Sequence, residues 1–182
     1  MIGRALVAAI CLAAAPAAAD EVETSIEAAL DAWRAGNIAG ADEALDQAAS
    51  LLGKIRVERM AAALPAPLAG WTRAEETPGP VIPGASLTAG AIYERGDERL
   101  AIRLMIDGPI LDSMVSVLGE DSIGSMRGEL REAGAQRYII MPDGDFSALV
   151  SDRVYVNLRG DAPREDLIAY FEAIDFAALG EI

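Results

Sequence analysis

The stretch QRYIIMPDGDFSALVSDRVYVNLR, Gln136 to Arg159, decides the fold. It reads as three short strands in a meander: Arg137–Met141, Phe146–Val150 and Arg153–Leu158. Pro142-Asp143-Gly144-Asp145 and Ser151-Asp152 are the turns, since proline, aspartate, glycine and serine supply turn backbone. In the last strand Val154, Val156 and Leu158 share one face, opposite Tyr155 and Asn157, the period of two of a half-buried strand.

The same period appears upstream. In Glu98–Asp107, Leu100, Ile102, Leu104 and Ile106 alternate with Arg99, Ala101, Arg103 and Met105. With Ala85–Arg95 this segment forms a hairpin around Gly96-Asp97. Asp107-Gly108-Pro109 then opens a helix, Asp107 as cap and Pro109 in the first turn. Ile110, Leu111, Met114, Val115 and Leu118 give it an apolar face, and Gly119 ends it. Ser122–Gly128 is a connection, and Glu129–Gly134 is a fourth strand or a turn. Past Gly160-Asp161 comes a closing helix with Pro163 in its first turn and Glu165 and Asp166 complementing its dipole. Leu167, Ile168, Phe171 and Ile174 form its buried face, and Phe176 and Leu179 tuck the tail onto the sheet. Strands and helices do not alternate one for one. The class is therefore α+β: an N-terminal helical hairpin, then an antiparallel sheet flanked by two helices.

The hairpin occupies residues 20–63. Ile26, Ala29, Leu30 and Trp33 share a face of a helix over Glu21–Ala35, and Gly36-Asn37 breaks it. A second helix follows from Ile38; Ala41, Leu45, Ala48, Leu52 and Ile55 form a seam suited to packing back on the first, until Pro65 stops it. Leu64–Trp71, with Pro65 and Pro67, marks the boundary to a domain over residues 64–182. Trp71 opens its first strand, either as a ligand platform or, the preferred reading, as a plug for a core edge. Thr77–Gly84 is a loop rich in proline and glycine.

Residues 1–19 read as a secretory signal. Arg4 is the basic region, Ala5–Ala15 is an apolar run of about eleven residues, too short to span a bilayer, and Ala17-Ala18-Ala19 is a cleavage pattern with Asp20 first in the mature chain. Cys11 lies within the apolar run after the bulky Ile10, which disfavours a lipid-anchored cysteine. The expectation is a periplasmic protein without stable membrane insertion after cleavage.

The chain has 182 residues, a net charge of −14 and no histidine. That charge repels nucleic acid and anionic headgroups. Without histidine there is no Ser-His-Asp triad, imidazole ligand or imidazole base. Loss of Cys11 with the signal would remove the one thiol. The single lysine, Lys54, lies in a helical charge run away from any nucleophile motif. Glycine-rich phosphate loops are absent. Asp143-Gly144-Asp145 lacks the further ligands of a calcium loop and reads as a hairpin turn; Glu120-Asp121 with Asp112 reads as solvated surface. No catalytic, cofactor-binding or metal-ligating residue is assigned.

Pro67-Leu68-x-Gly70-Trp71 at the start of the second domain and Ala173-Ile174-Asp175-Phe176 at its end resemble a group of uncharacterised exported proteobacterial proteins, and more distantly the Mog1/PsbP/DcrB-like fold. That resemblance implies an accessory role without implying a catalytic residue. The pattern Ala28-x4-Trp33-x2-Gly36-Asn37-x6-Ala44-Leu45-x2-Ala48 resembles a single tetratricopeptide-type unit, a repeat that needs neighbours to bury its faces; the preferred reading is an ordinary helical hairpin docked on the main domain, or a dimerisation arm.

The expected function is therefore that of a non-enzymatic binding or assembly protein meeting a protein partner through the hairpin. One alternative is a small apolar-ligand binder with a pocket between the sheet and helix 109–118, near Met105, Met114, Met126 and Met141. The other is a carboxylate-based hydrolase, disfavoured because nine aromatic residues in the whole chain offer no aromatic cleft.

Overall fold

The structure, a computed structural model, describes residues 15–76, 85–118 and 127–182. The segment read as a signal core, with Arg4 and Cys11, residues 77–84, expected as a loop, and residues 119–126 with Glu120, Asp121 and Met126 lie outside them. The chain divides into two compact units, Met1–Leu52 and Gly53–Ile182. The division falls within the second helix.

The first unit holds α1 (Ala15–Arg34) and most of α2 (Ile38–Ala62). The turn between them uses two different residues for two different jobs. Gly36 takes φ 75°. Its N–H donates to the Trp33 carbonyl at 3.0 Å and the Asn37 N–H to the Ala32 carbonyl at 2.9 Å, the paired bonds of a Schellman C-cap. Asn37 then caps α2: its Oδ1 accepts from the Gly40 N–H at 3.1 Å.

The second unit is a seven-stranded, wholly antiparallel sheet of β1 (Thr72–Glu75), β2 (Leu87–Arg95), β3 (Glu98–Ile106), β4 (Glu129–Ala133), β5 (Gln136–Ile140), β6 (Phe146–Val150) and β7 (Val154–Gly160). The order across the sheet is β1-β2-β3-β7-β6-β5-β4. Helix α3 (Gly108–Leu118) lies between β3 and β4 in the chain; α4 (Arg164–Glu172) and α5 (Phe176–Gly180) follow β7. The meander thus runs inward from the β4 edge and sets β7 beside β3, in register from Leu100↔Gly160 to Ile106↔Val154.

Alternation sorts the two faces. One carries Leu100, Ile102, Leu104 and Ile106 with Val154, Val156 and Leu158, all 0–1% exposed. It joins Val57 and Met60 of α2, Leu64 just beyond its end, Leu167, Tyr170 and Phe171 from α4, and Leu179 from α5 in one core. The opposite face carries a smaller cluster, Leu111 and Leu118 of α3 against Ile139 and Leu149, with Met114, Met141 and Tyr155 packed beside them.

Polar links fix the end of α2 to the sheet. Arg73 on β1 donates to the Ala61, Leu64 and Pro65 carbonyls at 3.2–3.3 Å, placing a cation where the helix dipole is negative. The buried Tyr93 hydroxyl donates to the Pro65 carbonyl at 2.7 Å, and the Tyr170 hydroxyl accepts from the Leu68 N–H at 3.0 Å. Trp71 is 5% exposed. It meets Tyr170 edge to face at 5.3 Å, with the Arg95 guanidinium 4.6 Å above its ring. That is the core-edge plug, not a platform open to ligand.

Two helix starts differ from expectation. Asp107 has φ 59°, outside the β region that capping residues adopt. Its carboxylate is instead gripped by Arg56, at 2.6 and 3.2 Å. Pro163 stands at the N-cap of α4, one place before the first turn, without a side-chain bond; Glu165 and Asp166 do lie in that turn.

Ile102 faces the core from the middle of β3, so Ile102→Ala should cost about 2–5 kcal/mol in urea unfolding, whereas Ile26→Ala on the exposed side of α1 should cost under about 0.5 kcal/mol. The Tyr138 phenol is buried and donates to Glu172 at 2.8 Å. Burial first, and then the Glu172 carboxylate, raise its pKa to about 12. Above pH 10 the unfolded chain would give up this proton before the folded one, so stability should fall as pH rises from 10 towards 12. Alkaline denaturation of Tyr138→Phe against the parent checks this: the variant should show a shallower fall across that window.

Candidate interaction site

The hairpin can bury only what its two helices hide from water. Ser25 and Ala29 of α1 and Ala41 and Ala48 of α2 are buried, with Val22, Ala32, Ala44 and Leu51 half-buried alongside. These positions recur at three- and four-residue steps on each helix. The buried positions are therefore mostly alanine, which hides little side-chain area.

The large apolar residues lie outside it. Trp33 is 65% exposed, Ile38 70% and Leu45 55%; Ile26, Leu30 and Leu52 are nearly half exposed. The sequence places Ile26, Ala29, Leu30 and Trp33 on one face and Ala41, Leu45, Ala48 and Leu52 in one seam. The structure splits both sets, alanines inward and large residues outward. The reason is geometric: two helices share one narrow strip, and the small residues fill it.

The exposed residues follow a rule. Ile26, Leu30 and Trp33 each stand one position after a seam residue of α1; Leu45 and Leu52 do the same on α2. One step turns both helices by the same angle and sense. In an antiparallel pair, equal rotations away from the seam carry both stripes to the same side. The six residues therefore form one apolar face, bordered by the exposed Glu23 and Glu27 on α1 and Asp42 and Asp46 on α2. The legible signal was the seven-residue recurrence of Ile38, Leu45 and Leu52 beside that of Ala41 and Ala48: one large line, one small.

The other singled-out residues do not converge. Asp143-Gly144-Asp145 is a turn: Gly144 has φ 94°, its N–H bonds to the Met141 carbonyl at 2.9 Å, and the Asp143 carboxylate accepts from the Asp145 N–H at 3.2 Å. Among the described residues no group of three or more acidic or other ligating side chains could hold a metal ion. Asp112 and Lys54 are exposed. Met114 and Met141 lie in the small cluster under α3, against Leu111, Ile139 and Leu149. The cavity next to that cluster, about 250 Å³, is lined by Gln136, Arg137, Ser151 and Asp152 besides Leu118 and Leu149, a largely polar wall.

An open groove of about 470 Å³ on the α3-bearing face of the sheet was not foreseen. Arg99, Arg103 and Arg159 line it together with Glu76, Asp143, Asp145 and Asp161. Arg103 donates to both carboxylate oxygens of Glu76 at 2.7 and 3.1 Å, and these bonds hold the Glu76 carboxyl below its ordinary range. Gly90 makes the room, since a Cβ would come within 2.7 Å of Glu76 Oε2. The charges in this groove largely neutralise one another.

No protein-family model, characterised protein or solved structure matches the chain.

The split between seam and stripe is testable in the hairpin itself. Ala48→Leu overfills the seam and should destabilise by about 1–3 kcal/mol. Leu45→Ser, on the stripe, should leave the helical circular dichroism and unfolding midpoint within error of the parent.

Proposed function

We propose that this protein is an exported, non-enzymatic binding or assembly factor that meets a protein partner through its helical hairpin. The carrying observation is the face made by Ile26, Leu30, Trp33, Ile38, Leu45 and Leu52, six large apolar side chains left in water. Contiguous exposed apolar surface is a mark of interaction sites, and a single hairpin resembling one tetratricopeptide-type unit lacks the neighbours that would cover it. The missing histidine and the lone lysine narrow acid–base and nucleophilic chemistry mainly to carboxylates and hydroxyls. The more distant resemblance to the Mog1/PsbP/DcrB-like fold, which implies an accessory role, points the same way. Export rests on Arg4, the apolar run and Ala17-Ala18-Ala19; cleavage after Ala19 would trim the first turn of α1. Among the described residues no helix is long and apolar enough to cross a membrane.

Intact mass of the protein recovered from the periplasm of an expressing Gram-negative cell should begin at Asp20, and Ala19→Trp should block processing. Recovery of unprocessed parent chain from the cytoplasm would remove the export reading. A photo-crosslinking residue at position 33 or 45 should trap a discrete protein partner in those cells, while one at the exposed Asp97 should not; equal trapping at all three positions would remove the hairpin's role.

A further inference from the structure

We infer that the partner presents a basic amphipathic helix to the hairpin face, an inference that rests on the hairpin being the binding element. Three observations lead there. First, the face is shaped for a helix. Ile38, Leu45 and Leu52 recur every seven residues on α2, and Ile26, Leu30 and Trp33 run beside them on α1. Two parallel apolar stripes with a shallow alanine seam between them form the groove into which a third helix lays its apolar side. Second, the length matches a short helix: Ile38 to Leu52 spans about 21 Å at the rise of an α-helix, or about four turns.

Third, charge selects the occupant. Residues 20–52 hold eight carboxylates and one arginine, a net charge of −7. Glu23 and Glu27 line the outer border of the α1 stripe, Asp42 and Asp46 that of the α2 stripe, and all four are exposed. A second copy of the hairpin would set these like-charged borders against each other. An anionic lipid surface would be repelled as well. A helix with leucine-like residues on one side and lysine or arginine at its flanks satisfies both the stripe and its borders, as flanking charges do in coiled-coil partner choice.

The test uses the processed full chain and two synthetic four-turn peptides, each with leucine at the core heptad positions, one flanked by lysine and one by glutamate. Fluorescence anisotropy should show the lysine peptide binding and the glutamate peptide not. Affinity should fall roughly tenfold between low salt and about 0.5 M. Trp33→Ser and, as a second variant in case the first disturbs α1, Leu45→Gln should each weaken binding about thirtyfold, with unchanged circular dichroism. Glu27→Lys with Asp46→Lys should shift the preference towards the glutamate peptide. Equal binding of both peptides, or binding indifferent to Trp33→Ser and Leu45→Gln, overturns the inference. So does a chain that sediments as a dimer and that Leu45→Gln returns to monomer, since a second copy would then own the face. If the lysine peptide fails to bind while crosslinking at positions 33 and 45 still traps a partner, the basic helix falls and the hairpin reading stands; if both fail, both fall.

Discussion

The pairing of β3 with β7 holds the sheet together. Each strand belongs to a locally connected ladder, β1-β2-β3 on one side and β4-β5-β6-β7 on the other. Only the register from Leu100↔Gly160 to Ile106↔Val154 makes them one sheet. The strands are far apart in sequence, so the loop between them must close before the contact rewards it. The reward is concentrated at the join, where Leu100, Ile102, Leu104, Val154, Val156 and Leu158 are fully buried. Gly160 lets the backbones meet at its end: a Cβ there would lie 2.3 Å from the Arg99 carbonyl oxygen.

With the sheet joined, its core-bearing face becomes the floor for the end of α2, for α4 and for α5. The cations of this acidic chain then serve as internal clamps. Arg56 grips Asp107, Arg73 satisfies the carbonyls at the end of α2, Arg95 joins Glu98 and Asp166 beside Trp71, and Arg103 holds Glu76. Several of these pairs are half exposed, so their value lies more in orientation than in net stability. Residues 20–52 retain a single arginine among eight carboxylates, and the proposed selectivity for a basic helix rests on that imbalance.

The hairpin obeys a different constraint. A pair of helices buries one strip on each, and here alanine occupies it. Six large side chains stay in water. Trp33 and Ile38, left so exposed, add little to the stability of the fold, and the proposed partner contact rests on that exposure.

The alternating strands, the Gly36-Asn37 break, the closing helix and the α+β class were legible in the sequence, because each is set by short-range periodicity or turn chemistry. Asp143-Gly144-Asp145 was legible as a turn for the same reason. Which apolar residues the hairpin hides was not: Ala41 and Leu45 fit one helical stripe equally well, and only close packing of two backbones decides which of them the seam admits. Nor could the sequence show that Asp107 answers Arg56, or that Glu76 meets Arg103 across β2, for these pairs are distant in the chain. The sequence by itself determined the elements and the acidic balance of the hairpin. The tertiary structure decided which side chains remain in water, because burial is a property of neighbours and not of spacing.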